Sequence, residues 1–459
     1  MMTLDKDQVQ APLLSLDHAS LPQDKLHDRR AAAWKAYGEL PMPSRKDTDW
    51  RFSNIKAIDL EGFQYHLPVA NQTDLKSRSI LKLESQAEAV FANQETLQFD
   101  ALPEELASKG VVWMSLAEAI ESHPDLIDEH LLSQKVELGS EKFSKLHESL
   151  CKTGSVIYVP DKVEIDLPFV AHYWLDGENA SVFPHTLIIA GNHSKVTMVD
   201  IFSSSEASRG LASSVADIIA GVGAKVDHLT VQDWSEQTLS FQSGSIRVDR
   251  DAHTKCFQFN SGGSFARSEV LSRAIGSGST SEVLGLTLAH NQQEFDQRTL
   301  QNHEVPHTMS DLLFKNSLNH QSKTIFSGLI RVFEGAKQTD AYQTNRNLLL
   351  DKNAEGASMP GLEIENDDVK CSHGATTSQI DEENLFYMQA RGISLPVAKH
   401  LIALGFCEEI LARFNHPELN PILRHKVEDK YARSSKISHE ELGVQVVDET
   451  DVRQLQGTQ

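Results

Sequence analysis

Between residues 194 and 341 a short pattern returns at near-constant spacing, and this limits the fold more than any other feature of the chain. A small residue, a charge and usually an apolar residue recur as Ser194-Lys195-Val196, Ala224-Lys225-Val226, Thr254-Lys255-Cys256, Ser281-Glu282-Val283, Ser310-Asp311-Leu312 and Thr339-Asp340-Ala341. Successive charged positions are 30, 30, 27, 29 and 29 residues apart. A fixed period of this size marks a solenoid, in which each unit buries its apolar side against the next. Helical repeats would need apolar residues at 3.6-residue spacing. These units are instead rich in Thr, Val and Ile and are punctuated by Gly, Ser and Asn, as in AGNH before Ser194 and GSGST before Ser281. The expected core is therefore a stack of short strands joined by turns. Such a stack leaves strand edges at its ends. Helical segments at both termini are candidates to cap them, and an uncapped edge would be a docking surface for another β subunit.

The flanks differ from this middle zone. Residues 1–150 read as an N-terminal helical domain, with helical segments at His27–Tyr37 and Glu141–Thr153 and a Pro-bounded connection leading into DTDWRF at Asp47–Phe52. Residues 151–374 carry the period-two, β-branched pattern of the core, as in SVIYV at Ser155 and KVTMVDIF at Lys195. Residues 375–432 return to helix as a C-terminal helical domain, and 433–459 read as a flexible acidic tail. The fold class is mainly β with flanking α.

Composition excludes several classes of function. With 43 Lys plus Arg against 65 Asp plus Glu, the net charge of −22 repels polyanions, so neither nucleic acid nor an anionic membrane is an expected partner. No stretch approaches the roughly 18–20 apolar residues needed to span a bilayer. The first residues, MMTLDKDQVQAPLLSLDHAS, have neither a basic, apolar leader nor Arg-rich transit character, which reads as a cytoplasmic protein. The four cysteines, Cys151, Cys256, Cys371 and Cys407, are far apart and form neither a C-x-x-C pair nor a zinc-finger spacing. GSGSTSE at Gly276 and SGGSFARSE at Ser261 lack the G-x-x-x-x-G-K-[ST] order of a phosphate loop and read as turns.

The segment 361–413 holds the candidate site. A strand and a turn lead into Val369-Lys370-Cys371-Ser372-His373-Gly374. Asp381 is placed to cap a helix running to Arg391, with Gly392 at its C′ position, and Ser394 to cap a second helix with Pro396 in its first turn. On a strand the i, i+2 spacing puts Cys371 and His373 on one face, about 7 Å apart. Thiolate and imidazole are the soft and borderline ligands that iron and sulfide chemistry uses. Taken alone, C-x-H is as compatible with a structural strand as with a site.

The stretches DDVKCSHGATTSQID, LFYMQARGIS and GFCEEIL, together with SKTIFSGLIRVFEGAKQTDAYQTNRNLLL, HEVPHTMSDLLFKNSL and VIYVPDKVEIDLP, resemble the SufB/SufD family of SUF iron–sulfur cluster assembly scaffolds over roughly residues 155–413. DTDWRFSNI is a weaker match. The resemblance implies a right-handed parallel β-helix core with helical domains at both ends. It implies a non-catalytic subunit that pairs with SufB and binds the ATPase SufC, binding no ATP itself. The ATPase would dock on the C-terminal helical zone, where Leu401, Leu404, Phe406 and Ile410 are the candidate contacts. An iron–sulfur cluster would be held transiently at an interface shared with SufB, with His373 and Cys371 as this chain's contribution. In the SufB pattern the signature reads C-E-H-E-A, with a functional cysteine about one coil earlier. Here it reads Cys371-Ser372-His373-Gly374-Ala375, and the earlier position is Asn345, as in the SufD branch.

Blander readings apply elsewhere. Pro306 between His303 and His307 prevents a regular helix, so these read as turn or coil histidines. Cys256 and Cys407 read as core, and nothing beyond packing is suggested for Cys151. Three alternatives stay open: a SufB-like scaffold that holds the cluster itself, a homodimer of the isolated chain, and a carbohydrate-active β-helix enzyme, for which scattered acids establish no catalytic pair.

Overall fold

The structure is a computed structural model that describes residues 21–81 and 83–435. Of the acidic tail expected at 433–459, residues 433–435 close the last helix and the rest lie outside the described residues. The N-terminal zone holds helices α1 (His27–Glu39) and α2 (Gln72–Arg78), strands β1 (Ala87–Ala92) and β2 (Glu95–Phe99), then α3 (Glu104–Ser108), β3 (Val112–Ser115), α4 (Leu116–Ser122), α5 (Pro124–His130) and α6 (Glu141–Leu150). The solenoid begins with β4 (Gly154–Val159), β5 (Phe169–Leu175), β6 (Ala180–Val182), β7 (His185–Ala190), β8 (Lys195–Ser204) and β9 (Gly210–Ala220). It continues with β10 (Lys225–Asp233), β11 (Thr238–Val248), β12 (His253–Asn260), β13 (Phe265–Ala274) and β14 (Thr280–Ala289). It ends with β15 (Glu294–His303), β16 (Met309–Leu318), β17 (Lys323–Val332), β18 (Thr339–Leu349), β19 (Glu355–Ile364) and β20 (Val369–Gln379). Helices α7 (Glu382–Gln389), α8 (Leu395–Phe414) and α9 (Asn420–Ser435) follow.

These strands form two ten-stranded sheets, one ordered β2-β1-β5-β8-β10-β12-β14-β16-β18-β20 and the other β19-β17-β15-β13-β11-β9-β7-β4-β3, with β6 beside β9. From β7 onward consecutive strands alternate between the sheets and pair in parallel with the equivalent strand of the next coil. This is the parallel β-solenoid that the repeat predicts.

The repeat register is right at some steps and off at others. Lys195 faces Lys225, Lys255 faces Glu282, and Glu282 faces Asp311. Lys225, however, faces His253, and Asp340 faces Met309, so the signature slips by two residues at those steps. A slip of two leaves every side chain on its original face, which is why the pattern survives it. The constant feature is the turn before each even-numbered strand from β8 to β18. His193, Gly223, Asp251, Gly278, His307 and Gln338 all have φ between +56° and +78°. They stack coil on coil, with Gly223 N–H donating to Arg250 O at 2.8 Å and Asp251 N–H to Ser277 O at 3.0 Å.

Along the even-numbered strands one set of alternate residues, including Val196, Val226, Val283 and Leu312, fills the solenoid interior. The opposite set, including Val199, Leu229, Phe257 and Leu284, is covered by Cys407, Ile410, Phe414 and Tyr431 of α8 and α9. The outer face of the odd-numbered sheet, at Leu187, Leu211 and Phe241, is covered by Phe143, Leu146 and Leu150 of α6 together with Trp50. Both helical zones thus cover faces of the sheets, in place of the capping role expected for them. The first coil is closed by strands within the zone expected to be helical: β1 pairs with β5, and β3 pairs with β4. At the other end β19 and β20 are edge strands with no strand beyond them among the described residues. The solenoid also extends past Gly374, because β20 pairs with β18 out to Gln379.

Candidate functional site

The site is built on the last strand. Parallel pairing sets Cys371 beside Ala341 and His373 beside Gln343, and Ala341 and Gln343 point into the solenoid interior, where both are fully buried. Cys371 and His373 therefore lie on the inward face of the final coil, the face the sequence spacing requires them to share. They end two inward rows. One runs Met198, His228, Cys256, Val283, Leu312, Gln343, His373, and the other Val196, Val226, Thr254, Ser281, Ser310, Ala341, Cys371. With no further coil above among the described residues, His373 is exposed and Cys371 half-buried.

Cys371, with Leu362 and Val369, packs against the buried cluster of Ile330, Val332, Ala336 and Ala341. Burial pushes the Cys371 thiol up, Asp340 adds to the shift, and a hydrogen bond with the Ala341 backbone opposes it.

Directly beneath lies a buried ladder of amides. Gln343 Nε2 donates to Gly328 O at 3.1 Å, and its Oε1 has no partner. Asn345, opposite Ala375 and so two residues further along the same face, accepts from the Ser358 hydroxyl and from Asn347 Nδ2 at 3.2 Å, and its own Nδ2 has no partner. Asn347 accepts from Asn316 Nδ2 at 2.8 Å and donates to Thr377 Oγ1 at 3.0 Å. Sequence reading singled out Asn345 but missed Gln343, which only the register places next to His373.

Other sequence candidates fall elsewhere. His303 ends β15, buried, with Thr308 Oγ1 at 2.7 Å from Nδ1 and Ser310 Oγ at 2.9 Å from Nε2, so both ring nitrogens are used. His307 is the turn residue at φ +60°. Cys256 and Cys407 are buried, and burial pushes Cys407 up to about 12 against a hydrogen bond with Tyr431. Gly262, Gly263, Gly276 and Gly278 lie in turns between strands, with no helix following either segment.

In the C-terminal helices the four candidate docking residues separate. Leu401 is exposed, Leu404 and Phe406 are partly covered, and Ile410 is 0% exposed, locked against the even-numbered sheet. Ile410 is thus unavailable as a surface contact, because α8 turns its Ala403, Cys407, Ile410, Leu411 and Phe414 stripe inward. The exposed apolar residues of this region are instead Phe386 (74%), Tyr387 (58%), Leu395 (41%) and Leu401 (41%). Asp381 caps α7 by accepting from Glu383 N–H, but the helix ends at Gln389, short of the expected Arg391. Ser394 holds the N-cap position of α8 without a side-chain capping bond.

Residues 173–406 match the family model described as "SUF system FeS cluster assembly, SufBD core domain", and residues 17–170 match "SufBD protein N-terminal region". The chain belongs to the SufBD family. Among its relatives, the iron–sulfur cluster assembly protein SufD of Bacillus subtilis (strain 168) is 26% identical over 398 residues, covering 84% of this chain and 89% of that protein. An iron–sulfur cluster assembly SufBD family protein of Staphylococcus epidermidis is 26% identical over 401 residues, covering 83% of this chain and 84% of the relative. A SufBD family protein of Synechocystis sp. is 26% identical over 416 residues, covering 88% and 90%. The SufBD core match spans the solenoid from β5 into α8 and includes the whole terminal coil with Cys371 and His373. No helix among the described residues of this SufBD-family chain is long and apolar enough to cross a membrane.

Proposed function

We propose that this chain is a SufD-type scaffold subunit of the SUF machinery, which pairs with a SufB-type partner through its open solenoid end and contributes His373, with Cys371, to a cluster-assembly site shared across that contact. The observation that carries the reading is the placement of a thiol and an imidazole side by side on the inward face of a terminal strand that is paired on one edge only among the described residues. Two ligands are too few for an iron–sulfur cluster, which needs about four, so the remainder come from the partner. The SufD reading is supported at Asn345, where a SufB-like scaffold would carry a thiol: the side chain there is a buried amide held by Ser358 and Asn347. An edge strand with free backbone groups recruits a partner by strand addition, which sets the register of side chains on both sides.

The ATPase reading rests on the patch of Phe386, Tyr387, Leu395 and Leu401. Aromatic and aliphatic side chains this exposed, on helices otherwise packed on the solenoid, have the composition of a protein contact. Nucleotide-driven movement of a bound SufC pair would pull on α7 and α8, and α7 follows β20 after Ile380 and Asp381. Such a pull would rearrange the shared end and admit iron and sulfide.

The test is His373→Ala in the reconstituted three-component complex. Assembly is expected to be unchanged by size-exclusion chromatography, while the yield of cluster per complex falls at least several-fold. Full cluster formation in an intact His373→Ala complex would sink the assignment.

A further inference from the structure

A second constellation of metal-binding side chains lies far from the terminal coil, where the N-terminal helices meet the first coils. His147 of α6, Cys151 at its C-cap and His185 at the start of β7 are all 0% exposed. One nitrogen from each ring and the Cys151 sulfur lie within 4.8 Å of one another. His147 Nε2 and His185 Nδ1 face each other at 3.1 Å. The outer nitrogens point away from this centre: His147 Nδ1 meets Ser213 O at 2.9 Å, and His185 Nε2 lies 3.3 Å from Asp217 Oδ2 without completing a hydrogen bond. Asp217 is itself held by the Leu132 N–H at 2.7 Å.

The hydrogen count of two neutral imidazoles does not satisfy this arrangement. A carbonyl only accepts, so His147 must carry its proton on Nδ1, which leaves Nε2 as a lone pair. If His185 is protonated on Nδ1 to serve that lone pair, its bare Nε2 faces a carboxylate oxygen. If it is protonated on Nε2 to serve Asp217, two lone pairs face each other at 3.1 Å. A doubly protonated His185 would serve both Asp217 and the His147 lone pair and is the metal-free alternative, in which Cys151, with Arg30 Nη1 3.7 Å from its sulfur, takes no part. A metal ion between the two facing nitrogens accepts both lone pairs and leaves each outer N–H for its carbonyl or carboxylate, the usual outer-shell support of metal-bound histidine.

The charges and spacing agree. Asp24 pairs with Arg30 at 2.9 Å, which leaves a Cys151 thiolate and the Asp217 carboxylate to balance a divalent cation. Tetrahedral zinc with Zn–N bonds of about 2.0–2.1 Å sets its nitrogen ligands roughly 3.3 Å apart, close to the 3.1 Å found. We propose that His147, Cys151 and His185 form a site for a zinc-type divalent transition metal that clamps α6 to the first coils of the solenoid. His147 and Cys151 stand four residues apart in sequence, a spacing that sequence reading passed over, and His185 joins them only through the fold.

The full-length chain, produced without a polyhistidine tag in zinc-supplemented medium and dialysed, is expected to retain about one zinc per chain by mass-spectrometric metal analysis. The double variant Cys371→Ser/His373→Ala should keep that zinc, which separates this site from the terminal coil. Cys151→Ser and His185→Gln should each lose most of it and melt at lower temperature. Because those variants risk misfolding, the wild-type chain refolded with cobalt supplies an independent readout, a thiolate-to-cobalt charge-transfer band with tetrahedral ligand-field bands. Folded wild-type protein with neither stoichiometric zinc nor that spectrum overturns the site. So does zinc retained in folded Cys151→Ser and His185→Gln chains, or iron found there in place of zinc.

Discussion

Arg267 lies 1% exposed beneath the N-terminal segment and gathers an unusual number of partners. Its guanidinium meets Glu269 at 2.8 Å and Asp296 at 2.5 Å, stacks on the Trp50 ring at 3.8 Å, and donates to the carbonyls of Asp49 at 3.0 Å and Leu138 at 2.6 Å. The DTDWRFSNI stretch is explained by this contact. Trp50 covers the guanidinium, the Ser53 hydroxyl donates to Asp296, and Asn54 N–H donates to Glu294 Oε1 at 2.6 Å. Removing one partner from a buried charge network strands the others, at a cost of about 3–5 kcal/mol. Asp296 would keep Arg298 at 2.6 Å, whereas Glu269 would keep only Ser140 at 2.5 Å. Arg267→Ala is accordingly expected to lower the unfolding midpoint and to open the segment around Trp50 to limited proteolysis. An unchanged digestion pattern and midpoint would show that the network does not hold the segment.

At the scale of elements, α9 is tied to the solenoid by charge as well as by Leu423, Val427 and Tyr431. Lys426 reaches Asp233 at 2.9 Å, and Lys430 reaches Glu236 at 2.7 Å. Burial pushes the Asp233 carboxyl up, but Lys426, Arg433 and a Ser261 hydrogen bond outweigh it and hold the group at about 2, below its ordinary 3.8. A carboxyl with a depressed folded pKa contributes its full stabilisation above the unfolded value and loses it as pH falls through the folded one. The contribution, about 2 kcal/mol by linkage, is therefore present above about pH 4–5 and lost toward pH 2. Thermal unfolding followed between pH 6 and 3 should show a steeper acid loss in the wild type than in Asp233→Asn, which starts less stable. Parallel pH profiles would remove Asp233 as the acid-sensitive tie.

For the whole molecule, the two ends of the solenoid differ in closure. The β1–β2 hairpin and β3 complete the first coil, whereas β19 and β20 offer backbone groups to solvent. Amide exchange follows local opening and access to water, so edge strands with few covering contacts exchange fast. In the isolated chain β20 amides are expected to exchange orders of magnitude faster than those of β10 and β12. Binding of a SufB-type partner should slow exchange on β19 and β20 specifically. Protection that appears elsewhere on the solenoid and leaves β20 unchanged would place the contact on another surface.

Local pattern and periodicity determined the solenoid, the alternation that puts Cys371 and His373 on one face, and the turn character of the glycine segments, because side-chain period and turn chemistry are properties of neighbouring residues. The family signature likewise lies in contiguous stretches. Depth and partnership were decided by tertiary structure. The two-residue slips at Lys225 and Asp340 are invisible to a pattern with period two. The burial of Ile410 and the exposure of Leu401 depend on which face of α8 meets the sheet, although the stripe spacing hints at it. The helices cover faces while strands close the first coil, since an edge that is buried in the fold pairs its row of backbone N–H and C=O groups with another strand. His147, Cys151 and His185 meet across 38 residues of sequence because a helix packs on a sheet there, and contacts between elements leave no trace in local periodicity.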